Sequence, residues 1–302
     1  AALEGSLMAP LLCQFAPDIP FNEGFWNCIE IDRGEPGTIV NPVVPAPVTS
    51  GHASAGMRAG RMVQEAIANA CAAADDPDLR ARASGQSSGA VALGIWFGMD
   101  QKNQPCMFMP FGMAVGIGGA GQTTGDGQDG YGMQSTLGIK WSDVEVQELD
   151  TPIMLLWRRL LPNAGGAGAT RGGMAIDEAF KLHRVDNFKG INFVTGAEIP
   201  ARGFAGGLPG GTGMCRMIRG TEAEAILARG ELPSTPESIG GTLDATLKGC
   251  QTNISYKSDD VFWGFGGGGG GLGDPFLRAP ELIEADLNQG MVTVAAAEVL
   301  YG

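Results

Sequence analysis

The fold class the sequence predicts is α+β: a β-rich body with a long N-terminal helix, glycine-rich loops and short C-terminal helices. Three observations lead there. Met57, Arg61, Gln64, Ala68 and Cys71 recur at spacings of three and four within residues 54–74, the signature of one helical face. From residue 86 onward, short apolar stretches alternate with Gly, Pro and Asn, which is the length and flanking chemistry of strands. Glycine makes up 49 of the 302 residues, more than twice the usual ~7%, and it falls in runs at 165–168, 172–173, 206–213 and 266–273.

In chain order, residues 3–15 read as a helix that stops before Pro17, because proline lacks the N–H that a continuing helix needs. Residues 27–31 alternate as a short strand, and Pro36-Gly37 marks a turn. The prolines at 42, 45 and 47 force 41–50 to be extended. Ser54 is the expected N-cap of the long helix, with Asp75-Asp76-Pro77 closing it. Strands are expected at 91–99, 107–115, 144–149, 153–160, 174–182, 191–195 and 214–218. Thr221-Glu222-Ala223-Glu224 has the form of a capping box for a helix to about Arg229. Two short helices follow at 279–287 and 293–300. A shift in composition near residue 85 suggests a helical and extended part, 1–85, ahead of a glycine-loop body, 86–302, either as two subdomains or as one continuous domain.

At 44% hydrophobic residues the chain has the means to bury a core, which argues against disorder. Charged residues are 18%, below the ~25% norm, as expected if partner subunits cover part of the surface. The net charge of −13 argues against nucleic acid as a partner, since phosphate binding needs basic patches. No apolar stretch reaches the ~20 residues that span a bilayer. The start carries neither an initiator methionine nor a basic signal-peptide region, so the chain is expected to be a processed product, a fragment or the ordered part of something longer. The six scattered cysteines, with no C-x-x-C, are expected to be reduced, buried small hydrophobes of a cytoplasmic protein.

Only two histidines, His52 and His183, are present, so no histidine-rich metal site can be assembled locally. His183 reads as structural. His52, on a glycine-bearing loop before the long helix, suits a proton shuttle or one ligand of a shared site, as well as a simple loop hydrogen bond. Neither a G-x-x-x-x-G-K-[ST] loop nor a strand–G-x-G-x-x-G–helix unit occurs. The run at 266–273, with Gly268, Gly269, Gly270 and Asp274, fits either a nest of N–H groups for an anion or a strand wedged between other backbones. Arg158, Arg159 and Arg171 flank Gly165, Gly166 and Gly168; guanidiniums around a glycine turn suit a phosphate or carboxylate, or equally pairs with acidic groups. The Asp/Gly loop at 121–132 offers carboxylates for a substrate or cation, or ordinary turn chemistry.

Residues 41–52 (NPVVPAPVTSGH), 161–173 (LPNAGGAGATRGG) and 266–275 (GGGGGGLGDP), with the Pro280-Glu281-Leu282 and Tyr301-Gly302 ending, resemble in that order the hydantoinase B/oxoprolinase family. The resemblance runs along the whole chain and corresponds to the C-terminal half of a usual member. It implies a hydantoinase A-type partner that carries ATP and Mg, and the N-terminal half of the B-type subunit as a second partner. Any divalent metal would sit in that half or on another chain, and no metal ligand is assigned to this one. The implied reactions are ATP-dependent carboxylation of a small ketone, of the acetone or acetophenone type, or ATP-dependent hydrolysis of a cyclic amide such as a hydantoin, 5-oxoproline or a lactam; a scaffold role is the non-catalytic alternative. The expected site residues are His52 and Arg171 as catalytic groups. Gly165, Gly166, Gly168, Gly268, Gly269, Gly270 and Asp274 are the expected substrate or phosphate contacts.

Overall fold

The structure is a computed structural model that describes residues 2–20, 22–47, 51, 55–110, 112–132, 141–245 and 249–302. His52 and the expected cap Ser54 lie outside the described residues. The α+β expectation holds. Among the described residues, nine strands form two antiparallel sheets: β1 (Ala92–Met99), β2 (Pro105–Phe108), β3 (Ile153–Leu160), β4 (Ile176–Leu182), β5 (Asn187–Val194), β6 (Met214–Arg219), β7 (Thr242–Leu243), β8 (Cys250–Lys257) and β9 (Val261–Phe265). One sheet has the order β2-β1-β5-β8 and the other β3-β4-β9-β6-β7.

The two sheets share a core. Trp96, Phe108, Phe188, Ile254 and Tyr256 from the first interleave with Ile153, Phe180, Leu182, Met217 and Phe262 from the second. The Trp96 ring lies 4.8 Å from that of Tyr256, tilted by 56°, and meets Phe262 edge-on at 5.0 Å, inclined arrangements that aromatic quadrupoles favour over face-to-face stacking. Burying each such side chain contributes about 1.5–3 kcal/mol. The Tyr256 hydroxyl, inside this apolar layer, donates to the Phe180 carbonyl at 2.7 Å, so its polar end is satisfied.

At the N-terminus, α1 (Ala2–Pro10) runs into a wider π turn over Leu11–Phe15, and α2 (Glu23–Trp26) follows. The strand expected at 27–31 is absent: Asn22 accepts from the Phe25 N–H and starts a helical turn instead. The long helix is α3 (Met57–Ala72), and its buried face includes Met57, Arg61, Gln64, Ala68 and Cys71 as the spacing requires. It crosses α1 closely, because a Cβ on Gly60 would sit 2.8 Å from the Ser6 carbonyl oxygen.

After the short α4 (Pro77–Arg80), the expected strand at 107–115 divides into β2 and the helical turn α5 (Gly112–Val115). The one expected at 144–149 is helix α6 (Val144–Asp150), because Asp143 caps it through the N–H groups of Glu145 and Val146. Helix α7 (Ala223–Ala228) is the expected one, but Thr221 is not its cap, and its hydroxyl donates to the Asp259 carbonyl. A capping box forms later, between Thr235 and Ser238. The C-terminal pair α8 (Pro280–Asn288) and α9 (Val294–Leu300) is as expected, with Thr293 capping α9. Of the cysteines, Cys71 and Cys215 are buried whereas Cys13, Cys28 and Cys250 are exposed, so the expectation of six buried thiols is corrected.

Candidate functional site

The glycine run 266–271 is the axis around which the site is built. Its N–H groups point in three directions that repeat every third residue. Gly266, Gly269 and Leu272 donate to the carbonyls of Ile176, Gly173 and Thr170; Gly267 and Gly270 to Ala90 and Gln86; Gly268 and Gly271 to Gly211 and Leu208. Three residues per turn with no internal hydrogen bond is the polyproline II geometry, which leaves every donor free for a neighbour. Carbonyls on the same run accept in return from Gly118, Gly121, Gly166 and Phe204. The result is a bundle of extended backbones bonded on all sides rather than a flat ladder.

Close approach explains the composition. A Cβ would lie 1.7 Å from the Ala164 oxygen at Gly268, 1.8 Å from the Gly119 oxygen at Gly269 and 2.0 Å from the Arg202 oxygen at Gly270. None of the six glycines takes the left-handed backbone, so contact, not φ, demands them. The wedged-strand alternative is therefore what the run adopts. The amides of Gly268, Gly269 and Gly270 are all spent on carbonyls, as is that of Gly166, while the Gly165 N–H meets the Met174 sulfur. A phosphate at these glycines would have to displace bonds of the bundle. Gly168 packs against the Thr170 and Leu272 backbone. Asp274 is exposed and caps the turn at Pro275–Leu277 by accepting from the Phe276 N–H.

Arg171 is buried in a clasp. Its Nε donates to Asp286 and its Nη1 to Asp129, both at 3.0 Å. Arg278 forks onto Asp126 with two 2.7 Å bonds and reaches Asp286 at 2.6 Å. Burial by itself disfavours the charged form of Arg171, but the carboxylates of Asp129 and Asp286 outweigh it and hold its pKa above the ordinary value. Asp126 is likewise opposed by burial, yet Arg278 and Arg171 keep its carboxyl below the ordinary value. Asp126 and Asp129 also accept from the Arg171 and Met174 N–H groups. Thus the 121–132 loop is stapled both to the glycine bundle and to α8.

Arg158 and Arg159 do not converge with Arg171; they pair on β4 with Glu178 and Asp177, each at 2.8 Å. Asp177 also accepts from the indoles of Trp157 and Trp263. These are the acidic-partner alternative, satisfied within the chain.

Between the bundle and the N-terminal π turn lies a cavity of about 250 Å³, whose lining includes Cys13, Gln14, Gln64, Ser84, Ser87, Gly119, Gln128 and Tyr131. Ser87 is fixed from two sides: its N–H donates to Gln64 Oε1 at 3.0 Å, and its hydroxyl accepts from the Ala120 N–H at 3.2 Å. Gln14 donates to the Ser84 hydroxyl at 2.6 Å. Burial pushes the Tyr131 hydroxyl up to about 12 and the Cys13 thiol upward too, so both stay protonated at neutral pH. Among the described residues Arg82, whose Nη1 donates to the Phe15 carbonyl, is the one charged member of the lining; the other polar groups are neutral donors and acceptors, suited to holding a polar group such as a carbonyl. Sequence patterns missed this cavity because its residues come from four separate segments and form no motif.

Among the described residues, no group of three or more His, Cys, Asp or Glu is placed to hold a metal ion. Asp126, Asp129 and Asp286 do converge, but two guanidiniums fill the space between them, so these residues do not fit a metal. His183 is half-buried just beyond β4, its N–H donating to the Pro152 carbonyl. No helix among the described residues is long and apolar enough to cross a membrane.

Residues 2–275 match the family described as hydantoinase B/oxoprolinase. The chain is 26% identical over 287 residues to the caprolactamase subunit beta of Pseudomonas jessenii, covering 94% of this chain and 44% of that one. It is 28% identical over 174 residues to the acetone carboxylase alpha subunit of Xanthobacter autotrophicus, covering 53% and 22%. Similarity to the acetophenone carboxylase delta subunit of Aromatoleum aromaticum is 26% over 258 residues, covering 79% and 36%. The chain thus spans less than half the length of these relatives. Among solved structures, the nucleotide-free acetone carboxylase matches with a TM-score of 0.81 at 20% identity, over 99% of this chain and 40% of that chain. The ATP-dependent caprolactamase of Pseudomonas jessenii matches at 0.75 and 20%, over 98% and 47%. At that identity the likeness shows a shared fold.

Proposed function

Because the chain belongs to the hydantoinase B/oxoprolinase family, we propose that it forms part of an ATP-dependent multi-subunit enzyme whose reaction is the carboxylation of a small ketone through phosphorylated intermediates. The observation that carries this reading is sequence similarity to subunits of two carboxylases with different ketones in their names. In this scheme a hydantoinase A-type subunit in the cytoplasm binds ATP and Mg. The N-terminal half of a B-type subunit completes the site and supplies any divalent metal, and this chain encloses the substrate. The cavity beside the glycine bundle holds the ketone carbonyl through neutral donors, and its rigid backbone walls keep water from a phosphorylated intermediate. A second reading, ATP-dependent opening of a cyclic amide, is favoured by the caprolactamase alignment, which runs over 94% of the chain. An amide carbonyl would take the same donors.

ATP turnover by the purified complex separates the two. Dependence on both a ketone and bicarbonate is expected; ATP consumed with a lactam or hydantoin in the absence of bicarbonate would replace the first reading with the second. Tyr131→Phe keeps the ring and removes one donor. It should lower kcat/KM by up to about tenfold, the worth of one neutral hydrogen bond, with assembly unchanged. An unaltered rate would remove the cavity from the reaction. His52 is proposed as a proton shuttle, and full turnover by an assembled His52→Ala complex would favour the scaffold reading.

A further inference from the structure

A second cavity, of about 490 Å³, lies on the far side of α3, against residues 199–202. Arg58, Arg61 and Glu65, at spacings of three and four, share one face of the helix, and Arg202 reaches in from the facing segment. Three guanidiniums therefore meet one carboxylate in a chain whose net charge is −13. That carboxylate is already engaged. Glu65 Oε1 accepts from Arg202 at 3.1 Å, and its Oε2 accepts from the Gln86 amide at 2.8 Å.

Arg61 is the informative group. Only 6% of it is exposed, and its Nε has no hydrogen-bond partner. Its Nη1 makes a long 3.4 Å bond to the Ile199 carbonyl. Gly89 lets it lie flat, since a Cβ there would be 3.2 Å from Arg61 Cδ and 3.5 Å from Nε. Burial first, and then the like charges of Arg58 and Arg202, disfavour its protonated form, with Glu65 only partly offsetting them. Burying a charge without a matched partner is costly. Among the described residues no acid pairs with it directly, although Gly89 and the packing of α3 hold it in place. Met62 and Ile199 add an aliphatic wall beside the charges.

We propose that this groove is a binding site for a small organic carboxylate, seated on the guanidiniums of Arg58, Arg61 and Arg202 with its carbon body against Met62 and Ile199. A carboxylate accepts two parallel N–H bonds from one guanidinium. The apolar wall distinguishes such a ligand from a bare inorganic anion.

Calorimetric titration of the protein, purified with whatever subunits accompany it, tests this with three probes: benzoate, its uncharged isostere benzamide, and inorganic phosphate. Benzoate is expected to saturate at one site per chain and benzamide to show no binding. Arg61→Gln should weaken benzoate at least tenfold, and Arg229→Gln, an exposed arginine paired with Glu231, should leave it unchanged. If Arg61→Gln fails to fold, the double substitution Arg58→Gln/Arg202→Gln at two exposed positions takes its place and should weaken benzoate at least as much. Equal binding of benzoate and benzamide, saturation by phosphate alone, or benzoate affinity untouched by these substitutions would each overturn the proposal.

Discussion

Gly269→Ala is expected to abolish folding, or to leave a protein destabilised by more than about 4 kcal/mol, beyond the range of most single substitutions. The added Cβ would stand 1.8 Å from the Gly119 oxygen and 2.5 Å from its carbon, and backbone cannot swing aside as a side chain does. Relief requires moving the run away from a neighbour, which breaks the Gly269–Gly173 and Gly166–Gly269 bonds. Ordinary overpacking costs about 1–3 kcal/mol; here buried peptide groups would lose partners as well. Gly268→Ala should behave alike. Gly5→Ala is the control: it lies in α1 with nothing within 4 Å of the new methyl, and should be neutral or stabilising by up to about 1 kcal/mol. Thermal unfolding and soluble yield report both. A Gly269→Ala protein melting within a degree of the parent would show that the bundle is looser than its hydrogen bonds imply.

The same glycines mark how far sequence reasoning reaches. Periodicity located α3 and its buried face, because a 3.6-residue pattern is written in consecutive positions. The strand at 153–160 was legible because a short apolar stretch between Pro152 and Pro162 has the length and flanks of a strand. The apolar stretch at 144–149 misled, since Asp143 supplies the cap that turns it into α6, and a short apolar run does not itself distinguish strand from helix. The run at 266–273 announced close backbone approach but not its partners, which come from six distant segments. Pairing of Arg171 with Asp286 spans 115 positions, and nothing local signals it. The cavity at Ser87 and Tyr131 and the Arg61 groove share that character: each is assembled only when the bundle brings the segments together.

The clasp of Arg171 and Arg278 with Asp126, Asp129 and Asp286 leads to the second large effect. Arg278→Met keeps the length of the side chain and removes its charge. Asp286 would keep only the bond from Arg171, and Asp126 would keep the Arg171 N–H and a 3.8 Å approach of Nε. Losing one member of a buried ionic network costs about 3–5 kcal/mol, because the remaining charges stay desolvated.

The pH dependence has a definite sign. Asp126 has a folded-state pKa below its ordinary 3.8, so the folded protein binds fewer protons there than the unfolded one. Its contribution is fully present above the unfolded value and is lost as pH falls through the lower, folded value. Between pH 7 and 5 this carboxylate therefore leaves the melting temperature flat, and the decline begins in acid, near and below pH 4. In Arg278→Met the principal cause of the lowered pKa is gone, so the part of the acid-limb slope that Asp126 contributes should shrink. Asp126 and Asp129 anchor the loop that carries Gln128 and Tyr131 into the cavity. Hydrogen exchange at residues 119–131 should then rise in Arg278→Met while the sheet core at β4 and β9 stays protected. Equal acceleration in both places would mean that the clasp holds up the whole fold, and that the loop has no separate dependence on it.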